Sequence, residues 1–423
     1  MPLTLGFAVG SVSTGIFVTT PGLILLFYLT EVVGAPPAMS GLAILFAKVW
    51  TILIDPGIGI ASDRLRRRSG QRSPLLWMGT LTYPFFFVLM FSPFVATAFD
   101  EPLWPIAILF FLATSTASTF SVPYVTVPAE VSDDPRIRAR LVGWRSAFVM
   151  IGLIVGGVAA PIISGRLGYG VMGASMGAVM FAGALAATLA TRRLERPPTV
   201  QLTPGAGNIW RFPVLPEFRA LVTANVYMVV SVAIVFAALP YFLAQLPDFG
   251  TDAVGYVMAV IIGLALVTIP VWSWLGERVG FGIAFAMAAF TFSAGCAALA
   301  VSDPTHGTGR SGLVLMGIAF GALQVCPYVL FAEACNRYAT NRDEAVQAAF
   351  TGLWTAIEKV ALACGPLFVG IGLSVMAGSE TRPESAIRWI LGVSPVALAA
   401  MAIIPMSNTH RLYPAPSAPK VKA

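Results

Sequence analysis

The chain has 423 residues, 57% of them hydrophobic and only 11% charged, with a mean hydropathy of +0.81. Soluble globular domains carry about 25% charged residues, so this composition excludes a soluble protein and points to an all-α membrane protein. The formal net charge of +6 comes mostly from arginines spread over separate loops, so no nucleic-acid partner is expected.

A helix crosses the hydrocarbon layer with about 20 mostly apolar residues. Twelve segments meet that length, at 5–33, 38–62, 75–98, 103–131, 141–165, 169–191, 217–246, 252–275, 281–301, 311–335, 345–375 and 384–406. They are called spans 1 to 12. The opening "MPLTLGFAVG" lacks a basic region and a clear small-residue cleavage site, so span 1 is expected to be retained.

Of 26 lysines and arginines, 20 fall on one side of these spans. They cluster after span 2 (Arg64 to Arg72), after span 4 (Arg136 to Arg145), after span 6 (Arg192 to Arg219) and in the tail. Arg166, Arg310, Arg382 and Arg388 lie opposite, and Lys48 and Lys359 lie within spans. Cytoplasmic loops retain positive charge, so both termini are expected in the cytoplasm of a plasma membrane of bacterial inner-membrane type.

The longest polar interval, 192–216, separates six spans from six. The expected organisation is a bundle over 1–191, a cytoplasmic linker over 192–216, a second bundle over 217–410 and a tail over 411–423. The halves echo one another. In span 2, Asp55-Pro56 is followed after six residues by Asp63-Arg64; in span 8, Ile269-Pro270 is followed after six by Glu277-Arg278. Pro123-Tyr124-Val125 ahead of Ala129-Glu130 is matched by Pro327-Tyr328-Val329 ahead of Ala332-Glu333. Such duplication around a central linker is the plan of secondary transporters with a midplane site.

A proline inside a span removes a backbone hydrogen bond and can bend the helix. The acidic and basic residues beyond it sit at the membrane edge, so Asp63, Arg64, Glu130, Glu277, Arg278 and Glu333 are candidates for a cytoplasmic gate, against simple solvated capping. Asp55 differs because the second half has Ile269 in its place. A carboxylate near mid-span costs about 2.5–3.5 kcal/mol on insertion scales, and such residues usually face a cavity and serve transport. The asymmetry points to one cation site in the first half.

The stretches "FYLTEVVG" (27–34), "DPGIGIASDRLRRRSGQRSPLLWMG" (55–79), "VPYVTVPAEVSDDPRIRARLVGWRSAF" (122–148) and "GLWTAIEKVALACG" (352–365) resemble the glycoside–pentoside–hexuronide:cation symporters. These are the melibiose permease group of the major facilitator superfamily. The resemblance touches spans 1, 2, 4, 5, 10 and 11 in the right order. It implies twelve transmembrane helices in two six-helix bundles, the major facilitator fold, and uptake of a sugar or glycoside with Na⁺, Li⁺ or H⁺ held by carboxylates of spans 2 and 4. This chain departs from that pattern: Thr51 and Ser121 stand where the permease has aspartates, and "GSVSTG" (10–15) replaces its Lys-Asp pair. Asp55, Thr51 and Ser121 are therefore the candidate cation ligands. A single aspartate that cycles between charged and neutral forms suits H⁺, which is preferred to Na⁺; uncoupled diffusion stays open.

Lys48, Thr51 and Asp55 share one face of span 2 at i, i+3 and i+7, and Lys48 is weighed between an interior role and snorkelling outward. Glu358 and Lys359 are neighbours on span 11, about 100° apart around the helix. The resemblance implies that Lys359 is tied to the cation and sugar region. Lys359, Glu358, Arg145, with its fork of donors, Trp354 and Tyr124 are candidate solute-binding residues, set against ion pairing, anchoring and packing. Trp144 is a further aromatic candidate for a sugar face. The pairs Gly152/Gly156, Gly173/Gly177 and Gly317/Gly321 fit close helix packing.

The four cysteines form no C-x-x-C pair, and His306 and His410 lie in a loop and the tail. No metal, cofactor or intramembrane catalytic set is expected. The resulting reading is a monomeric, non-enzymatic, alternating-access carrier in a lipid bilayer, for a small solute and a coupling cation. A lipid or lysolipid carrier on the same scaffold is the alternative; import or efflux is left open.

Overall fold

A computed structural model describes residues 2–69, 73–131, 135–194, 216–245, 252–301, 308–342, 347–377 and 383–407. The expected linker and tail fall almost wholly outside these residues, as does the side chain of Glu130. Among the described residues, twelve helices are long and apolar enough to cross a membrane: Leu5–Leu25, Pro37–Arg66, Ser73–Met90, Leu103–Val127, Arg140–Leu167, Tyr169–Arg192, Phe218–Ala244, Ala253–Val279, Phe281–Ala300, Ser311–Cys335, Phe350–Val375 and Ile387–Pro405. They correspond one for one, in order, to spans 1 to 12.

The ends differ from expectation where backbone chemistry intervenes. Span 1 leaves regular α-helix at Pro21 and continues through two wider π-helical turns, Pro21–Leu25 and Tyr28–Val32. Span 3 stops at Met90, and a separate short helix, Pro93–Thr97, starts at a proline whose missing N–H a first turn tolerates. Span 10 is interrupted between Leu323 and Cys326, next to Pro327. Pro56 and Pro270, the repeated prolines, both lie inside continuous helices.

The chain forms two compact units. The first is Met1–Leu202 with Leu239–Tyr256 and Pro366–Gly378; the second is Thr203–Ala238, Val257–Gly365 and Ser379–Ala423. In the first, span 1 packs along spans 5 and 6, and span 4 along spans 2 and 3. In the second, span 9 packs along spans 10 and 12.

Small residues set the closest approaches. A Cβ on Gly15 would lie 2.6 Å from the Val149 carbonyl oxygen and 2.8 Å from Gly152 Cα, so spans 1 and 5 meet backbone to backbone. Such contact is available only to residues without a side chain. The glycine pairs of spans 5, 6 and 10 likewise lie against neighbouring helices, Gly156 against Ile16 and Thr20, Gly173 against Phe91 and Gly317 against Leu264.

Candidate functional site

Span 2 turns its polar stripe into the first unit. Thr51 is buried and donates its hydroxyl to the Lys48 carbonyl at 2.7 Å, which leaves the hydroxyl oxygen's lone pairs for a ligand. Asp55, one turn further on, is half-buried with Oδ1 enclosed. Ser121 of span 4 is also half-buried.

Lys48 does not snorkel outward. Its ammonium lies 5.3 Å from the Phe17 ring centroid of span 1 and 5.4 Å from that of Phe110 of span 4. The negative faces of two aromatic rings attract a desolvated cation, and this holds the lysine in the bundle interior.

Most hydroxyls of "GSVSTG" are committed to packing. Ser11 lies 2.8 Å from the Tyr124 hydroxyl, which donates onward to the Phe7 carbonyl at 2.7 Å. Ser13 donates to the Met180 carbonyl and also meets the Tyr83 hydroxyl. Tyr124 is 1% exposed and stacks on Phe120, so its expected place against a solute is not what the structure gives; it ties span 4 to span 1. Arg145, half-buried on span 5, lies within electrostatic reach of the Tyr124 hydroxyl.

The second unit holds a polar cluster that sequence reasoning only half identified. Glu358 of span 11 accepts from Asn225 Nδ2 of span 7 at Oε1, 3.1 Å, and from the Tyr328 hydroxyl of span 10 at Oε2, 3.2 Å. Trp354 is 3% exposed and packs against Phe331, with ring centroids 4.9 Å apart, so it is not open to a sugar face. Its indole N–H lies near the same carboxylate without meeting hydrogen-bond geometry. Lys359 is half-buried and has contacts of its own. Asn225 escaped notice because a neutral amide in an apolar run carries no charge signal; Tyr328 was visible only as an echo of Tyr124.

Of the gate candidates, Asp63, Arg64, Glu277 and Arg278 are exposed and Glu333 is half-buried. The Arg278 guanidinium sits 4.1 Å from the Trp274 ring centroid, one turn back on its own helix.

At the side away from the arginine-rich loops, the first unit is fastened by contacts no sequence feature announced. Arg166 Nε reaches Asp252 Oδ2 at 3.2 Å, and its Nη2 donates to the Tyr256 hydroxyl at 2.6 Å. Thr30 and Tyr241 share a hydrogen bond of 2.5 Å, and the Ala38 amide donates to Ser374 Oγ at 3.0 Å. The one available hint was Arg166 itself, a charge on the sparsely charged side.

The profile of the family described as MFS/sugar transport protein matches residues 6–410. The chain belongs to this family. Similar curated proteins of Escherichia coli K12 include the putative glycoside/cation symporter YagG, 27% identical over 38% of this chain and 35% of that protein. The inner membrane symporter YicJ is 24% identical over 64% of this chain and 60% of that protein. An uncharacterized symporter of Synechocystis is 31% identical over 31% of this chain and 25% of that protein. The chain thus spans from a quarter to three fifths of these relatives' lengths.

Among solved structures, a bacterial homologue of the human lysosomal transporter Spinster, inward-facing and unoccupied, is similar with a TM-score of 0.66 and 15% identity. It is matched over 94% of its length and 96% of this chain. The nucleoside transporter NupG gives 0.65 at 14% identity, over 98% of its length and 96% of this chain. These likenesses establish the major facilitator fold. The MFS/sugar transport family and these relatives are transporters, and this member is a multi-pass membrane protein.

In this member of the MFS/sugar transport family, the first unit places Asp55 one turn beyond Thr51 and holds Lys48 beside two aromatic rings; the second holds Glu358 between donors from two other spans.

Proposed function

We propose that this protein is a secondary transporter of the inner membrane, with both termini cytoplasmic, that carries a small hydroxylated solute of the sugar or glycoside class in symport with a cation. The observation that carries the reading is Asp55. It stands on the inward stripe of span 2, one turn beyond buried Thr51, with one carboxylate oxygen enclosed. An acid at that depth is costly unless it serves an ion or a solute. The names of the similar symporters support the solute class and the cation.

In this reading Asp55 binds the coupling ion, with Thr51 and Ser121 as neutral oxygen donors. The ion is H⁺, because one acid alternating between two charge states is sufficient. Arg145 of the first unit and Lys359 of the second each serve as a donor for solute hydroxyls, and Asp63 and Arg64 in the first unit, with Glu277, Arg278 and Glu333 in the second, act as cytoplasmic gating residues of their own units. A monomer is the working unit.

The test is uptake of a panel of radiolabelled glycosides and pentosides into proteoliposomes under imposed pH or Na⁺ gradients, comparing wild type with Asp55→Asn. Concentrative uptake driven by the pH gradient in wild type, and only equilibration in the variant, is the expected result. Accumulation that survives the substitution would remove Asp55 from coupling.

A further inference from the structure

Glu358 is an intramembrane acid that the Asp55 reading does not use. Among the described residues, the side chains that donate to its carboxylate are Asn225 and Tyr328, with the Trp354 indole N–H close by, all of them uncharged. On span 7 the nearest titratable group in sequence is Tyr227. On span 10 it is Tyr328 itself, with Cys326 and Glu333 further along; on span 11, Lys359 turns about 100° away. A carboxylate within a membrane span is retained when its charge is balanced or removed, and among the described residues this one accepts only from uncharged side chains.

The donor set decides what can balance it. A carboxylate only accepts, so Asn225 must present its NH₂ group and not its carbonyl oxygen. Two donors aimed at the acid turn their hydrogens, not their lone pairs, to the space where a metal cation would sit. That arrangement disfavours Na⁺.

It accommodates a proton without moving heavy atoms. When Oε2 takes a proton from hydronium and releases water, its new O–H donates to the Tyr328 oxygen, the phenol hydrogen rotates away, and Oε1 still accepts from Asn225. A hydroxyl serves as donor or acceptor, so the carboxyl group keeps both of its partners in both charge states. Tyr328 is 47% exposed while Trp354 is 3% exposed, so the open edge of the cluster is on the Tyr328 side.

We propose that Glu358 is a proton-binding site of the second half, alternating between a carboxylate held by Asn225 and Tyr328 and a carboxylic acid that donates to Tyr328. Hydrogen bonds to an ionised acceptor are about twice as strong as neutral ones. Proton binding therefore loosens the grip of span 11 on spans 7 and 10, and proton release tightens it. The inference stands whether or not Asp55 holds the coupling ion.

The experiment is pH-difference infrared spectroscopy on the full chain reconstituted in lipid, following the carbonyl band that a protonated carboxylic acid shows and a carboxylate lacks. Acidification is expected to raise such a band in wild type, Glu358→Gln to abolish that component, and Asp55→Asn to leave it in place. Tyr328→Phe should shift its frequency by removing the hydrogen-bond partner, and added Na⁺ at fixed pH should leave it unchanged. A wild type with no titrating carboxyl band, a band unaltered by Glu358→Gln, or suppression of the Glu358 component by Na⁺ would each overturn the proposal.

Discussion

Arg166, at the end of span 5, and Asp252, just before span 8, are joined by an ion pair of 3.2 Å, with the Tyr256 hydroxyl bound to the same guanidinium. The Arg166 side chain is 59% exposed, and exposed pairs contribute about 0–1 kcal/mol, so the pair matters less for stability than for which ends stay together. Arg166→Ala is expected to change the thermal unfolding temperature little. It should speed labelling of a cysteine placed at buried Ser164 by a membrane-impermeant maleimide. Unchanged labelling would show that the Thr30–Tyr241 and Ala38–Ser374 contacts hold this end by themselves.

Lys48 between Phe17 and Phe110 gives a second expectation. Desolvated cation–π contacts contribute about 0.5–2 kcal/mol. Lys48→Met keeps the stem and removes the charge, and should be coupled to Phe110→Leu by that amount in a double-mutant cycle followed by thermal unfolding. Additive effects would mean that the ammonium does not draw on the ring.

The two tyrosines of the repeated Pro-Tyr-Val sequence should respond in opposite ways. Tyr124→Phe strands buried Ser11 and the Phe7 carbonyl, a loss of about 1–3 kcal/mol, and should lower stability while leaving solute affinity near wild type. Tyr328→Phe removes a donor from the Glu358 carboxylate and should alter the pH dependence of transport, which Tyr124→Phe should leave in place. A pH profile unchanged by Tyr328→Phe would contradict the division drawn here.

Close packing supplies a fourth test. Gly152 meets the Val12 and Gly15 backbones, whereas nothing stands within 4 Å of a Cβ at Gly143. Gly152→Leu should cost at least about 1–3 kcal/mol through forced separation of spans 1 and 5. Gly143→Leu should cost little in the same unfolding assay.

How far the sequence reached can be seen residue by residue. The number and order of spans, the position of Asp55 on one face with Thr51, and the echo of spans 2 and 8 follow from hydropathy and helical period, which are local properties of the chain. The π-helical turns after Pro21 and the stop at Met90 depend on local chemistry that hydropathy averages away. Tyr124 and Tyr328 carry the same neighbours, yet one is buried against span 1 and the other reaches Glu358 with half its surface uncovered.

The sequence by itself determined that twelve helices are membrane-length, that the chain is duplicated and that an acid stands within span 2. Only the tertiary structure decided that Lys48 points inward, that Asn225 clasps Glu358 and that Arg166 meets Asp252. Hydropathy fixes where a helix lies, but its rotation and its partners are set by which neighbouring backbones come close enough to touch, and those neighbours lie tens to hundreds of residues away.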